Sequence, residues 1–252
     1  MFQWCATNCA IMSTLVFDIE TVGEDWSELD TITQKALVRF IDNSSHSESE
    51  RQVLLRAVKE QLGFSPLTGK IVSVAAYDVE REWGAVYYVG SAEEADFTDD
   101  TFTYKIRTEQ ELLEDFWESA RSYDVFVTFN GRQFDVPFML LRSIACSVTP
   151  TVELLGKRYL TQQSLPYHVD LQDELTFYGA LSRRPQLHLF CRAFGIESPK
   201  GVVSGDDVAE LFRTERYSDI ARYNATDVVA TTKLYEKWLT HLAPRSWLNQ
   251  II

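Results

Sequence analysis

Six residues, Val16-Phe17-Asp18-Ile19-Glu20-Thr21, place two acids at the end of a short apolar run. The run is rich in β-branched and aromatic residues and leads into Val22-Gly23, a pattern typical of a buried strand that enters a loop. Because side chains alternate across a strand, Asp18 and Glu20 share one face. Adjacent carboxylates repel unless a cation or a proton joins them, and open α/β sheets bind ligands beyond the strand carboxyl ends. The stretch therefore favours a divalent-metal site, with solvated acids at a strand end as the alternative.

The composition is that of a globular protein with an acidic surface. The chain has 252 residues, of which 45% are hydrophobic, and a formal net charge of -13. This charge argues against broad binding of duplex DNA or anionic membranes, although a local groove can still hold one strand end through metals. No stretch approaches the roughly 20 apolar residues that span a bilayer, and the first dozen residues lack a basic start. We therefore expect no membrane partner and a cytoplasmic location. The four cysteines lack the paired spacing of a zinc site, so we expect free thiols.

The spacing of apolar residues predicts one α/β domain. Apolar runs predict five strands, at residues 14–17, 70–77, 85–89, 125–129 and 167–171. Helical spacing predicts helices at residues 29–41, 50–62, 108–122, 136–145, 186–194 and 217–242. Right-handed crossovers then give a mixed sheet with helices on both faces.

Three segments carry expectations of their own. Residues 1–11 precede Met12, which could serve as a translation start, so we expect a poorly ordered extension before a domain at residues 12–252. Residues 24–64 predict a helical hairpin insert in that domain. Residues 91–100 predict an acidic loop.

A second acidic site follows the predicted strand at residues 125–129. In Asn130-Gly131-Arg132-Gln133-Phe134-Asp135 the strand ends at Asn-Gly, and Asp135 begins the next helix. An Asp in the first helical turn, with Pro137 close behind, is also ordinary capping chemistry, so this position alone favours capping. It gains a functional interpretation only together with other acids at the same sheet edge.

A third acid lies in the long final helix. Tyr223 and Asp227 are four residues apart and so share a helix face. The same face carries Ile220, Thr231 and Leu234, a stripe expected to pack on the sheet. A buried carboxylate is costly unless it is paired or bound to a metal, and no Lys or Arg has matching spacing. We therefore interpret Asp227 as a metal ligand, with a capping or hydrogen-bonded structural aspartate as the alternative.

In order and spacing, these segments resemble the motifs of the DEDD 3'-5' exonucleases, a family with the ribonuclease H-like fold. Phe17-Asp18-Ile19-Glu20-Thr21 resembles the first motif, residues 130–135 the second, and Tyr223-x3-Asp227 the third in its tyrosine variant. Other segments resemble stand-alone bacterial proteins related to the proofreading domain of family B DNA polymerases: Ser65-Pro66-Leu67-Thr68-Gly69-Lys70-Ile71-Val72, His168-Val169-Asp170-Leu171 and Ser198-Pro199-Lys200-Gly201. The likeness covers residues 13–238, and the helical insert departs from it. The resemblance implies a mixed five-stranded sheet in the order 3-2-1-4-5.

The resemblance also implies two divalent cations, Mg²⁺ or Mn²⁺. Asp18 would bridge both cations, while Glu20 and Asp227 would complete one site. Asp135 would hold the second cation largely through water, and Tyr223 would position the attacking water. Four residues would contact the terminal nucleotides: Thr21, Asn130, Phe134 and Lys200. For Phe134, core packing is an equally good role.

We therefore expect a metal-dependent 3'-5' exonuclease that releases nucleoside monophosphates from single-stranded 3' ends, of DNA in preference to RNA. A 3'-5' exoribonuclease of the same fold is one alternative. An inactive nucleic-acid-binding or scaffolding member of the fold is another, which the presence of all four acids and the tyrosine disfavours. Because the chain contains no candidate polymerase domain, we expect a polymerase or repair partner to act in trans, if there is one.

Overall fold

Strands and helices alternate along residues 12–42, 47–91, 93–181, 183–197 and 207–251, the part of the chain that the computed structural model describes. The strands are β1 (Thr14–Gly23), β2 (Gly69–Asp78), β3 (Trp83–Tyr88), β4 (Phe97–Thr98), β5 (Phe102–Ile106), β6 (Val125–Thr128) and β7 (Tyr167–Asp170). The helices are α1 (Thr31–Asp42), α2 (Glu48–Glu60), α3 (Glu109–Ala120), α4 (Asp135–Ala145), α5 (Leu171–Leu175), α6 (Leu187–Phe194), α7 (Val208–Arg213), α8 (Tyr217–His241) and α9 (Arg245–Ile251).

β1 lies inside the sheet and carries Asp18 and Glu20. The strand order is β4-β5-β3-β2-β1-β6-β7, with β1 antiparallel to β2 and parallel to β6. β6 and β7 are also parallel, so their carboxyl ends lie at the same edge of the sheet as the end of β1. The predicted α/β class and mixed sheet are confirmed. The order of the five predicted strands is confirmed as well, because they form the run β3-β2-β1-β6-β7.

The predicted number of five strands is wrong, because β4 and β5 extend the sheet beyond β3. β4 lies inside the predicted acidic loop at residues 91–100, and β5 pairs in parallel with β3. Asp99 forms the turn between them by accepting the N–H of Phe102 at 2.7 Å. A strand of two residues is too short to show alternation of apolar and polar side chains. The acidic residues next to it also obscure the apolar pattern of Phe102 and Tyr104, which are buried in β5.

Helices cover both faces of the sheet. On one face, α3 and α4 cover an apolar cluster in which the rings of Phe17 and Phe116 lie 5.0 Å apart. On the other face, α8 packs on β1 and β2, and its apolar residues join Val16 in a second buried cluster. Because side chains alternate along β1, Asp18 and Glu20 lie on the α8 face.

Several helix ends follow signals in the sequence. Thr108 accepts the N–H of Glu111 and donates its own N–H to the Glu111 carboxylate, and these two bonds form a capping box before α3. α6 ends at Gly195, which has a φ of 68° and closes the helix in the left-handed conformation. Two helices that pack against each other, α1 and α2, lie within residues 24–64, and their status as an insert stays a prediction.

The expectations from composition concern membrane spans and cysteines. Among the described residues, no helix is both long enough and apolar enough to cross a membrane. Cys146 and Cys191 are free thiols. The predicted extension at residues 1–11 lies outside the described residues.

A bulge in β2 shapes the end of β1. The register between these strands shifts just after Glu20, where β2 carries one extra residue, Val72. Beyond the shift, Ile71 donates its N–H to Glu109 of α3 at 2.8 Å. Glu109 also binds Arg142 of α4 through two contacts, at 2.7 and 2.8 Å. Glu109 thus joins α3, α4 and β2 near the strand end that carries Glu20.

We expect Glu109→Gln to destabilise the fold. The amide can still accept from Ile71, but Arg142, whose side chain is only 16% exposed, loses its counter-charge. The free energy of unfolding should fall by about 2 kcal/mol. Asp115→Asn breaks the more exposed pair with Arg107 and is the control, with an expected cost below about 1 kcal/mol. Urea unfolding measures both, and equal shifts of the two midpoints would contradict this role for Glu109.

Candidate active site

Three carboxylates meet where α8 packs on the end of β1. Asp18 and Glu20 project from β1, Asp227 projects from α8, and all three residues are half-buried. One oxygen from each carboxylate lies within 4.8 Å of the others. The packing of α8 on the sheet therefore brings the first and third sequence motifs together.

A fourth carboxylate approaches from α4. Asp135 is the first residue of α4 and is only 3% exposed. Its Oδ1 accepts the backbone N–H of Ile19 at 3.1 Å, and its carboxyl group shares a hydrogen bond with Asp18. The N-cap position of α4 is Phe134, which makes no side-chain capping bond. Asp135 is therefore directed at β1, and the second motif lies beside the first.

Burial raises the pKa values of Asp18, Glu20 and Asp135, and repulsion within the cluster adds to the shift for Asp18 and Glu20. For Asp18, burial is the largest cause, followed by the charges of its three acidic neighbours, and the pKa lies well above its ordinary value. Burial, then the charges of Asp227 and Asp135, raise the pKa of Glu20 well above its ordinary value. Burial raises the pKa of Asp135 to about 7, although backbone N–H donors oppose the shift. A bound divalent cation would relieve this repulsion.

Tyr223 lies one turn before Asp227 on α8. It packs against the apolar cluster at the end of β1, and its hydroxyl donates a hydrogen bond to Asp227. Burial, then the charges of Asp227 and Glu20, raise the pKa of this hydroxyl above its ordinary value. At neutral pH the hydroxyl is therefore a hydrogen-bond donor and not a base.

Asn224, which the sequence analysis does not identify, also lies beside the acids. Its Nδ2 donates to Oδ2 of Asp18 at 3.4 Å, and the side chain is fully buried. Its Oδ1 has no hydrogen-bond partner among the described residues. The signal in the sequence is an amide in an apolar helix stripe, four residues from both Ile220 and Val228. A buried amide at that spacing needs a polar partner.

Asp170 fixes the loop between β6 and α4. Its two carboxylate oxygens accept the N–H groups of Asn130 at 2.9 Å and Arg132 at 3.0 Å, and the same side chain caps α5. Asn130 has a φ of 68°. A Cβ on Gly131 would lie 2.3 Å from Oγ1 of Thr128, so the turn requires glycine there. This turn directs the chain back toward β1, which is how the fourth acid reaches the site.

A buried histidine supports the same loop. His168 places Nδ1 2.9 Å from the carbonyl of Leu154 and Nε2 2.8 Å from Oγ1 of Thr128. Because a carbonyl can only accept, Nδ1 carries the proton and Nε2 accepts from the threonine hydroxyl. Burial lowers the pKa of His168 to about 4, so the ring is neutral at physiological pH and holds the end of β6.

The predicted substrate-contacting residues differ in their surroundings. Thr21 donates its hydroxyl to a backbone carbonyl at 2.7 Å and lines a cleft beside the acids. Phe134 is half-buried, with one part against the apolar core and another in that cleft. The side-chain oxygen of Asn130 lies 3.5 Å from Nη1 of Arg184. Lys200 lies outside the described residues. Contact of all four with substrate stays a prediction.

A protein-family model matches residues 68–244 of the chain. Its description is "Predicted 3'-5' exonuclease related to the exonuclease domain of PolB". The chain belongs to this family. The matched region includes Asp135, Tyr223 and Asp227, whereas Asp18 and Glu20 precede it and reach the site through the fold.

The family B DNA polymerase from the hyperthermophilic archaeon Pyrobaculum calidifontis is a solved structure with a similar fold. The TM-score is 0.53 at 19% sequence identity, and the likeness covers 90% of this chain and 24% of the polymerase chain. At that identity the likeness concerns the fold alone, and it confirms the ribonuclease H-like architecture expected from the motifs. A search of curated proteins found no match.

The donor set fits the divalent cations that exonuclease domains of this type use. It consists of carboxylate oxygens, which hard cations such as Mg²⁺ and Mn²⁺ prefer. The repulsion that raises the pKa values of Asp18 and Glu20 is what a cation would offset. Asp18, Glu20 and Asp227 could hold one ion, and Asp135 together with Asp18 could hold another.

We expect the metal-free protein to lose thermal stability as the pH rises from about 4, near the ordinary pKa of an aspartate, to about 7. A carboxyl group whose pKa is raised by folding favours the folded state at low pH, and this contribution is lost as the pH rises through the folded pKa. That pKa is about 7 for Asp135. Asp18→Asn should reduce the loss, because it removes a central charge. Each kcal/mol corresponds to about 2–4 °C in a chain of this size.

Thermal melting with and without Mg²⁺ or Mn²⁺ measures this effect. The cation should raise the midpoint of the parent protein, and more so at the higher pH, where fewer protons compete for the carboxylates. Asp115→Asn, a surface carboxylate change outside the cluster, is the control and should behave like the parent. A parent midpoint that is insensitive to both cations would contradict the metal site.

Proposed function

We propose that this chain is a 3'-5' exonuclease that releases nucleoside monophosphates from single-stranded 3' ends of DNA. The observation that carries the proposal is the meeting of Asp18, Glu20 and Asp227 within 4.8 Å in a member of a predicted 3'-5' exonuclease family. Asp135 supplies a fourth acid through its hydrogen bond with Asp18. These four carboxylates would provide oxygen ligands for two Mg²⁺ or Mn²⁺ ions.

In this proposal the four acids divide between two ion sites. Asp18 is in contact with acids on both of its sides and contributes to both ion sites, whereas Glu20 and Asp227 complete one of them. Asp135 completes the other, oriented by the N–H of Ile19. When bound, two such cations would stabilise the charge that develops on the attacking and leaving oxygens of a phosphodiester.

Tyr223 has a positioning role in the proposal. Its hydroxyl stays protonated near neutral pH and lies against Asp227, so it can orient the attacking water by a hydrogen bond. Asn224 donates to Asp18 from the same helix and restricts the rotation of that carboxylate. One helix therefore supplies an acid and two hydrogen-bonding groups to the site.

Single-stranded DNA is the substrate that the observations favour. A net charge of -13 leaves little general attraction for a duplex backbone, so the acids and their cations must supply much of the binding at one strand end. The preference for DNA over RNA rests on the relation of the family to the PolB exonuclease domain and on the polymerase with a similar fold. Action beside a polymerase or repair partner in trans is part of the same proposal.

The direct test uses 5'-labelled DNA and RNA oligonucleotides of matched sequence with Mg²⁺, Mn²⁺, Ca²⁺ or a chelator. We expect stepwise shortening of single-stranded DNA that requires Mg²⁺ or Mn²⁺, and no turnover by Asp18→Asn, because that residue contributes to both ion sites. Asp115→Asn should cleave at the parent rate.

Other outcomes of this test would replace the proposal. Internal fragments, or full activity in the chelator, would exclude a metal-dependent exonuclease. Faster loss of the RNA strand would identify an exoribonuclease. Binding without cleavage under every condition would favour a scaffolding member of the fold.

A second test separates Tyr223 from the acids. Tyr223→Phe keeps the ring and its packing but deletes one hydrogen-bonding oxygen, so single-turnover cleavage should slow by about a hundredfold. The dependence on Mn²⁺ concentration should not change, because the hydroxyl is not a metal ligand in the proposal. Asp227→Asn should lower both the rate and the apparent affinity for Mn²⁺. Cleavage by Tyr223→Phe at the parent rate, or its rescue by more Mn²⁺, would show that the hydroxyl does not orient the water.

A further inference from the structure

A cleft opens beside Glu20, on the side of β1 that faces the helical insert. Its volume is about 680 Å³. The walls are the end of β1, the end of α2, the turn after α2, Phe134 and α7, with Thr21, Lys59, Phe64 and Arg213 among the lining residues. The insert therefore forms one side of a cleft that reaches a proposed metal ligand. We call this space the insert cleft.

Phe64 is an exposed ring on a tightly held turn in the insert cleft. Its side chain is 60% exposed. The turn packs against β1 backbone to backbone, because a Cβ on Gly63 would lie 2.9 Å from the nitrogen of Gly23. Two side-chain hydrogen bonds hold the turn in place. The hydroxyl of Thr21 donates to the carbonyl of Gly63 at 2.7 Å, and the hydroxyl of Thr68 donates to the carbonyl of Leu62 at 2.9 Å. The segment that carries the ring is thus already ordered, which lowers the entropic cost of stacking a ligand on it.

A second ring completes the apolar part of the cleft. Phe134 lies with its ring centroid 6.4 Å from that of Phe64, and the two planes are tilted by 59°. Phe134 is supported from behind by Phe138, with centroids 5.5 Å apart. Phe64 lines the cleft and forms no other ring pair among the described residues. The two rings border a space suited to a flat, largely apolar group.

The charges around the insert cleft do not suit a phosphate. Its described lining residues include four acids and two bases: Glu20, Glu24, Glu60, Glu210, Lys59 and Arg213. Arg213 is paired with Glu210. The Nζ of Lys59 lies 5.4 Å from the ring centroid of Trp26, which gives it a partner outside the cleft. A polyanion would meet net negative charge there, whereas an uncharged planar group would not.

We propose that the insert cleft is a base-binding subsite in which Phe64 stacks on one of the two nucleobases that flank the scissile phosphate. The proposal rests on the proposed function, which puts that phosphate at the acids next to Glu20. A base can reach the cleft only when it is unpaired, so Phe64 also contributes to selection of single-stranded ends. The helical insert then has a direct role in substrate binding, because the turn after α2 carries the ring of Phe64.

The test measures binding without hydrolysis. Asp18→Asn protein with Ca²⁺ is titrated with single-stranded oligonucleotides that carry 2-aminopurine at the last or the next-to-last position, a base whose fluorescence falls when it stacks. We expect the bound signal to be quenched at one of these positions. Phe64→Ala, made in the same background, should relieve the quenching and weaken binding by about five- to 150-fold, the range of one base–aromatic stack. Phe64→Tyr should restore both.

The matched control is Leu67→Ala, which removes a side chain 78% exposed from the same turn but outside the cleft lining. It should leave quenching and affinity at the parent level. A second comparison uses oligonucleotides with an abasic residue in place of the quenched base. On that substrate the parent and Phe64→Ala should bind equally, because the stacking partner is already absent.

Two results would overturn the base-binding subsite. One is unchanged quenching and affinity in Phe64→Ala, and the other is an equal loss of affinity by this variant on normal and abasic strands. Thermal melting confirms that each variant is folded. The readout is independent of turnover, so strands whose fluorescence is quenched but which the parent protein never cleaves with Mg²⁺ or Mn²⁺ would support the cleft and refute the exonuclease. Metal-dependent cleavage by the parent protein, together with either of these two results, would support the exonuclease and refute the cleft.

Discussion

Repulsion among carboxylates held at the end of β1 is the constraint on which the rest of the structure depends. Asp18 and Glu20 are fixed on one face of a strand inside the sheet, so they cannot separate as two acids on a loop could. α8 brings Asp227 against them, and α4 brings Asp135. The raised pKa values of the acids show that this arrangement is unfavourable without a counter-charge. Apolar packing on both faces of β1 offsets that cost.

The contacts that arrange the acids are long-range. The hydrogen bond between Ile19 and Asp135 spans 116 residues, and the one between Asp18 and Asn224 spans 206. The loop that presents Asp135 is fixed in turn by Asp170, which comes from a third strand. The site therefore forms only when β1, β6, β7 and α8 are all in place, and the stability of the sheet and the geometry of the site are closely linked.

This dependence explains which features the sequence could predict. The alternation of β1 was enough to put Asp18 and Glu20 on one face, and helical spacing was enough to put Tyr223 and Asp227 together. The motif resemblance then indicated that these segments converge. β4 and β5 were not predictable. β4 has only two residues, and the acidic residues before the short β5 interrupt the alternation of apolar and polar side chains that marks a strand. The hydrogen bond from Asn224 to Asp18 was not predictable either, because it depends on how α8 is rotated against the sheet.

The exposed ring of Phe64 illustrates a different limit of the sequence. Its neighbours, Gly63 and Pro66, predict a turn, but they do not show that the turn packs against Gly23. Only that packing directs the ring into the cleft beside Glu20. Local turn chemistry can thus be read from the chain, whereas the direction in which the turn faces comes from tertiary contact.

The length of α8 has a consequence for where the site can be disturbed. The helix has 25 residues, and Asp227 lies 11 residues before Trp238, a distance of about 16 Å along the axis. Trp238 is buried in the apolar cluster that α8 shares with the sheet, so packing at the far half of the helix fixes its axial position. A slip of one residue would move Asp227 by about 1.5 Å, a large fraction of the 4.8 Å within which the three carboxylates meet. The alignment of the acids is therefore set partly by an aromatic anchor three turns away, which touches none of them.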